Sequence, residues 1–350
     1  MFTINMQERV AAFAALGQAL NRIAGNTGTT PGETAFQELI PSYHLSNGWY
    51  TPTFITHRIS QIARGLQQNV LENWVSGYTF PEHAAPKTVG VILAGNLPLV
   101  GFDDFAAVLL SGNKFCGKLS SDDKRMLPAV AALLCETEPR FSEYIEFTDA
   151  RLPKVDAVIA TGSNNSSRYF DYYFGKYPHI IRKNRHSVAV LDGTETPEEL
   201  AALGNDIFLY FGLGCRSVSK LFVPEGYSFN TFYESILSWG DMMNGHTKYM
   251  NNYEYHRTLY LLSRETLLDN NFLLLKEDKY MSSPPGMIFW ESYSDKETLQ
   301  QRLHELESEL QCVAGHQTLW PAALPFGTTQ CPLPSDYADG ADTLAFLSWL

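Results

Sequence analysis

From residue 6 to 24, apolar side chains recur at three- and four-residue spacing (Val10, Phe13, Leu16, Leu20, Ile23), which predicts an amphipathic helix. The Thr- and Gly-bearing stretch 26–31 ends it. The same spacing returns in Ile55, Ile59, Ile62, Leu66, Val70 and Trp74, read as one long helix with Thr51 or Thr53 as its cap after the turn at 47–52. At Lys87 the pattern changes. Residues 88–94 form a near-continuous apolar run, as expected of a strand covered on both faces. Helical patterns over 102–110, 124–134 and 164–177 then alternate with strand patterns over 114–119, 155–160 and 187–191. Thr196-Pro197-Glu198-Glu199 carries the signature of a helix start: a capping hydroxyl, proline in the first turn, then acids at the positive end of the dipole. That helix runs to about Phe211, followed by a strand at 220–224 and a helix at 231–239. A second α/β pattern covers 255–263, 272–276, 287–291 and 297–310. Alternation of this kind predicts right-handed βαβ units around parallel sheets.

A chain of 350 residues exceeds what one core usually serves, so two domains are expected. The formal charge of −12 argues against a general binder of nucleic acid or anionic membrane. Five widely spaced cysteines with no C-x-x-C pair fit neither a disulfide framework nor a zinc site, and no metal is expected. No apolar run approaches the roughly 18 residues of a membrane span. The apolar stretch 11–20 is broken by Gly17 and Gln18 and lacks a preceding basic run, so no secretory leader is expected and a reducing cytoplasm is the default compartment.

The candidate chemistry centres on Gly212-Leu213-Gly214-Cys215. Two glycines before a cysteine let another molecule approach the backbone closely, and a thiol there can attack an acyl group while its own N–H holds the oxyanion. The alternative is a buried, inert cysteine beside a flexible turn. Three further loops follow predicted strands: Gly95-Asn96, Lys118-Leu119-Ser120-Ser121 and Gly162-Ser163. In open parallel sheets such loops converge at the ligand-binding edge. Gly162 and Ser163 offer a phosphate N–H groups and a hydroxyl, and Lys118 offers a ribose or phosphate its ammonium, with Ser120 beside it. Neither common glycine-rich nucleotide fingerprint is present. The run Arg182-Lys183-Asn184-Arg185-His186 reads as an anion-attracting patch or, more simply, a solvated basic surface. The aspartates of 336–342 read as a turn-rich acidic loop or a cation site.

Asn96-x-Pro98, Gly112-Asn113-x-x-x-x-Lys118, Gly162-Ser163 and Gly-x-Cys215 occur in an order and at intervals similar to those of the aldehyde dehydrogenase superfamily. Asn47-Gly48-Trp49-Tyr50 and the terminal 336–347 segment more narrowly resemble the acyl-CoA reductase branch, related to the fatty-acid reductase subunit of bacterial luminescence systems. The resemblance covers roughly residues 45–350. It implies an aldehyde dehydrogenase-like fold of two parallel-sheet α/β domains with an N-terminal helical segment, the reacting thiol lying in the cleft between the domains. Residues 1–190 would hold the helical segment and the nicotinamide-nucleotide-binding domain. Residues 191–320 would form the catalytic thiol domain, and 321–350 a tail packing back on the body. It further implies Cys215 as nucleophile, Asn96 as side-chain oxyanion donor, Lys118 on the adenosine ribose and Ser163 on the pyrophosphate. A homodimer is what the family suggests.

Two departures from the superfamily pattern matter. Hydrolytic members carry a glutamate, ahead of the cysteine, that activates water. The corresponding stretch here, 181–186, holds no acid, which favours exchange of the acyl group with coenzyme A. Where many NAD-preferring relatives carry a glutamate three residues after the lysine, this chain has Ser121, which tilts the expectation toward NADPH with NADH still open. Ser283-Pro284-Pro285-Gly286 stands where the nicotinamide-ribose motif is expected. The expected activity is NAD(P)H-dependent reduction of an acyl-CoA thioester to an aldehyde. The competing readings are a thioesterase or acyltransferase using His186, His246 or His256 as base, and a catalytically degenerate binding subunit.

Overall fold

The computed structural model describes residues 4–80, 85–162, 170 and 172–350. The chain divides into two compact units, Met1–Lys183 with Leu333–Leu350, and Asn184–Pro332.

The first unit is built on five parallel strands in the order β3-β2-β1-β4-β5: β1 Thr88–Ile92, β2 Lys114–Lys118, β3 Ile145–Thr148, β4 Ala157–Thr161 and β5 His179–Arg182. Chain order runs outward from β1 to β3, then returns to the other flank of β1 at β4. That reversal is a topological switch, whose crevice lies beyond the carboxyl ends of the strands. The core of this unit includes Val89, Val91, Phe105, Phe115 and Ile159. The helix Met6–Ala24 starts in a capping box between Asn5 and Glu8 and buries all five residues that the spacing picks out. A Cβ on Gly17 would lie 2.7 Å from the Leu66 Cβ, so this glycine sets the close approach of the first helix to the end of Pro52–Gly65.

Several elements differ from the sequence expectation. The long helix over 55–74 is two helices, Pro52–Gly65 and Gln68–Ser76. The stretch ending at Pro31 starts a further helix, Pro31–Ser42, capped by the Thr30 hydroxyl. The short strands β3 and β5 carry too few apolar residues to stand out in the pattern. The expected helix over 164–177 falls largely on residues outside those described.

The C-terminal residues close this unit through specific bonds. Trp74 Nε1 donates to the Tyr337 hydroxyl at 2.8 Å, and the Tyr78 hydroxyl donates to Asp342 Oδ2 at 2.8 Å. Asp339 accepts from the Lys183 N–H, and Asp342 Oδ1 caps the terminal helix Thr343–Ser348. Asp336 accepts from the Leu333 N–H. These three aspartates hold backbone and hydroxyl donors in a turn, as the simpler of the two sequence readings has it.

The second unit carries six strands in the order β11-β6-β7-β10-β9-β8: β6 His186–Val190, β7 Val218–Pro224, β8 Leu268–Asp269, β9 Leu274–Glu277, β10 Met287–Tyr293 and β11 Leu310–Gly315. All neighbours are parallel except β8 and β9, so the sheet is mixed at one edge. Residues 255–262 lie in the helix Thr247–Leu262, and Ser263 caps its end. The helix read over 297–310 stops at Glu305, and its last residue opens β11. Lys220 on β7 is fully buried. Its ammonium donates to Glu291 Oε2 at 2.7 Å and to the Asp278 carbonyl at 2.8 Å, which offsets the cost of burying it.

Candidate active-site residues in the two units

In the first unit, the loops at the carboxyl edge of β1, β2 and β4 carry Asn96, Lys118 and Gly162. Asn96 is exposed in the loop after β1. The carbonyls flanking it are fixed from below by the Asn47–Tyr50 turn. Asn47 Nδ2 donates to the Gly95 carbonyl at 3.1 Å. The Tyr50 hydroxyl donates to the Leu97 carbonyl at 2.6 Å and reaches that of Gly95 at 3.2 Å. Tyr50 is wholly buried, stacked on Tyr43 with ring centroids 5.4 Å apart. Burial, reinforced by the Asp123 carboxylate, pushes both phenols far above their ordinary value, so they stay protonated donors. Asp123 in turn accepts from the Tyr43 hydroxyl and from the Arg125 and Met126 N–H groups at the start of the next helix. A Cβ on Gly95 would meet Ser120 Oγ at 2.6 Å, so glycine is needed where the β1 and β2 loops touch.

Lys118 is half-buried at the end of β2, and its carbonyl accepts from the Leu93 N–H at 3.0 Å. The Ser120 hydroxyl accepts from the Asp122 N–H, shaping the following turn. The Gly162 N–H is engaged with the Arg182 carbonyl at 3.4 Å, extending the β4–β5 ladder. Ser163 lies outside the described residues.

The basic run that begins with the last residue of β5 is only partly solvated: Lys183 is exposed, Arg185 and His186 are half-buried, and Arg182 lies inside. Arg182 is buried and makes a bidentate pair with Asp104, at 2.6 and 2.8 Å, and a third bond to the Thr343 hydroxyl. Arg185 Nη1 donates to the Leu310 carbonyl at 3.0 Å. His186 is half-buried, and desolvation lowers its pKa.

In the second unit, Cys215 lies in the turn that enters β7, at the amino edge of the sheet. Of the five cysteines it alone is exposed. Burial raises the thiol pKa of Cys135 and Cys312, and pushes Cys116 up to about 11 with help from Glu146. Such thiols are inert at neutral pH. The backbone around Cys215 is held at several points. The Ser187 hydroxyl donates to the Cys215 carbonyl at 2.8 Å, and Ser217 Oγ accepts from the Gly214 N–H at 3.3 Å. Gln330 Nε2 donates to that same Ser217 oxygen at 3.1 Å. The loop bearing Gln330 is fastened by buried Asp206, which accepts from the Gly327 and Thr329 N–H groups and the Thr329 hydroxyl.

Just upstream the chain makes a left-handed turn, with φ of 56° at Tyr210, 57° at Phe211 and 74° at Gly212. Two aromatic residues in that region are strained, and burial of both rings holds them there. Phe211 stacks on His246 at 3.8 Å between centroids. His246 Nδ1 accepts from the Tyr249 N–H as a helix cap, and His256 stacks on Tyr260, so each has an architectural task. Ser187 and Gln330 carry no local sequence signal, because their partners are far along the chain, 28 residues for Ser187 and Cys215 and 113 for Gln330 and Ser217.

The fold is that of the aldehyde dehydrogenases. An oxidoreductase from Marinobacter aquaeolei superposes with a TM-score of 0.72 at 12% identity, covering 99% of this chain and 85% of that one. P. syringae indole-3-acetaldehyde dehydrogenase AldA, solved with NAD+, gives 0.63 at 14% identity, covering 91% and 77%. Aldehyde dehydrogenase 21 from Physcomitrella patens gives 0.58 at 11% identity, covering 89% and 78%. Within this class, residues 59–240, just over half of the chain, match the family model for acyl-CoA reductase (LuxC), and the chain belongs to that family. No curated protein matches it by sequence. Among the described residues, no helix is long and apolar enough to cross a membrane.

Proposed function

We propose that the protein reduces an acyl-CoA thioester to the aldehyde through a thioacyl-enzyme on Cys215, with NAD(P)H as reductant. The observation that carries this reading is Cys215 itself: the one exposed thiol of a LuxC-family chain, on a turn pinned by Ser187 and Ser217. The Cys215 thiolate attacks the thioester carbonyl, the carbon–sulfur bond to coenzyme A breaks, and the CoA thiolate leaves with a proton. The Cys215 N–H and the Asn96 amide are the assigned donors to the oxyanion. No acid stands in 181–186, and Arg182 there is already paired with Asp104, so that stretch supplies no carboxylate to activate water. The acyl group on Cys215 is therefore kept for reduction.

A nicotinamide dinucleotide suits the carboxyl edge of the first sheet, where the switch point and the half-buried Lys118 supply a crevice and a cation. Lys118 and Ser120 are assigned to its ribose, Gly162 and Ser163 to its pyrophosphate. When bound, it supplies hydride. Ser121 puts no carboxylate of its own against a 2′-phosphate, which favours NADPH over NADH. The test is a paired assay. NADPH oxidation and aldehyde formation should run one to one with acyl-CoA and cease in Cys215→Ala. CoA release with no aldehyde and no NADPH oxidation would instead indicate a thioesterase.

A further inference from the structure

The carboxyl edge of the second sheet holds a cluster with no part in the thiol chemistry, which enters from the amino edge. β6 and β11 are parallel neighbours, with Val190 paired to Gly315. The residues just beyond them therefore meet side by side, and His316 Nδ1 lies 3.1 Å from Asp192 Oδ2. The chain then turns through Gly193, at φ +87°, so that the Glu195 carboxylate accepts from the Asp192 and Gly193 N–H groups. One donor atom from each of Asp192, Glu195 and His316 lies within 4.8 Å of the others, and all three residues are half-buried. The other ring nitrogen of His316 lies 3.0 Å from Glu199 Oε1, in the first turn of the helix Pro197–Phe208.

Both ring nitrogens of His316 thus face carboxylate oxygens, whereas a neutral imidazole carries one proton. With that proton on Nε2 toward Glu199, the Nδ1 lone pair points at Asp192, and a cation must sit between them. Either a second proton or a metal ion fills the role. Metal-bound histidines characteristically give their remaining N–H to a carboxylate, which is the place Glu199 occupies. Charge favours the metal as well. Three carboxylates and an imidazolium leave a net −2, whereas a divalent ion on the neutral ring leaves −1. Donors at roughly 2.0–2.2 Å from a tetrahedral ion lie about 3.3–3.6 Å apart; His316 and Asp192 are close to that spacing at 3.1 Å, and the Glu195 oxygen, within 4.8 Å of both, closes onto the ion.

We propose that Asp192, Glu195 and His316 bind one divalent transition-metal ion of the class served by mixed nitrogen and oxygen ligands, with Zn2+ the best match. Glu199 is a positioning residue that orients His316. The ion ties the ends of β6 and β11 to the following helix and takes no part in the reduction. The sequence gives no spacing signal for it, because Asp192 and His316 are 124 residues apart.

The test is titration of the full-length chain with Zn2+ and with Co2+, followed by heat and visible absorption. One equivalent should bind and raise Tm, and cobalt should show weak d–d bands without a thiolate charge-transfer band. Glu195→Gln and His316→Ala should abolish binding, and Glu199→Gln should weaken it about 10–100-fold. Circular dichroism checks the fold, and Glu195→Gln is nearly isosteric. Absence of binding, a thiolate band, or undiminished binding in both Glu195→Gln and His316→Ala would overturn the site.

Discussion

The Ser187 hydroxyl donates to the Cys215 carbonyl at 2.8 Å and contacts Cys312 Sγ at 3.0 Å, joining the second residue of β6 to the turn ahead of β7. Ser187 is fully buried, so its orientation is set by the sheet rather than by solvent. It holds the carbonyl of the residue whose own N–H, one peptide earlier, is assigned to the oxyanion. Ser187→Ala should cost about 1 kcal/mol of stability. Its effect on turnover should be larger, up to about 10²-fold, because a misplaced donor acts on the transition state. Thermal melts beside steady-state kinetics check this. An activity loss no larger than the stability loss implies would remove the positioning role.

The Asn96 loop separates support from chemistry. Tyr50→Phe removes the donor to two loop carbonyls and should lower stability by about 1–3 kcal/mol. Asn96→Ala, at an exposed side chain, should leave Tm near the parent value and lower kcat about 10²–10³-fold. Melting and kinetics on both variants check the contrast.

The Arg182–Asp104 pair is buried, bidentate and tied to the C-terminal helix through Thr343. Removing one partner strands the other, so Asp104→Ala should cost about 3–5 kcal/mol. Replacing both partners with apolar residues of similar volume should cost much less. Denaturant unfolding of the two single variants and the double variant gives the coupling directly.

Glu33 supplies a pH prediction. Its hydrogen bonds from Arg22, together with the Thr29 and Thr30 N–H groups, lower the carboxyl from its ordinary 4.5 to about 2, against the opposing effect of burial. A pKa lowered by folding contributes stability that is present above the unfolded value and lost as pH falls through the folded one. The stability difference between the parent and Glu33→Gln should therefore shrink as pH falls from about 4.5 to about 2. Unfolding curves across that range check it.

Much of this architecture was legible because strands buried on both faces write themselves as apolar runs, as β1 and β4 do. Thr196-Pro197-x-Glu199 stands out as a helix start, while the same signature in Thr30-Pro31-x-Glu33 is obscured by the threonines and glycine around it. Strands β3, β5 and β11 leave no trace in the pattern, because four to six residues with charged or polar members carry no period of their own. Cys215 and Asn96 stand out through local motifs. The groups that hold them, Ser187, Gln330, Asn47 and Tyr50, act across long sequence separations that no local pattern records. Arg182 shows the same limit in reverse: a basic run looks solvated until its buried partner, 78 residues away, is known.

The most direct test of the thioacyl-enzyme is intact-protein mass after incubation with acyl-CoAs of different chain lengths, with and without NADPH. The expected result is one acyl adduct, mapped to Cys215, absent in Cys215→Ala and discharged as aldehyde when NADPH is added. An unmodified parent protein that still reduces acyl-CoA, or a Cys215→Ala variant that keeps the parent rate, would contradict it.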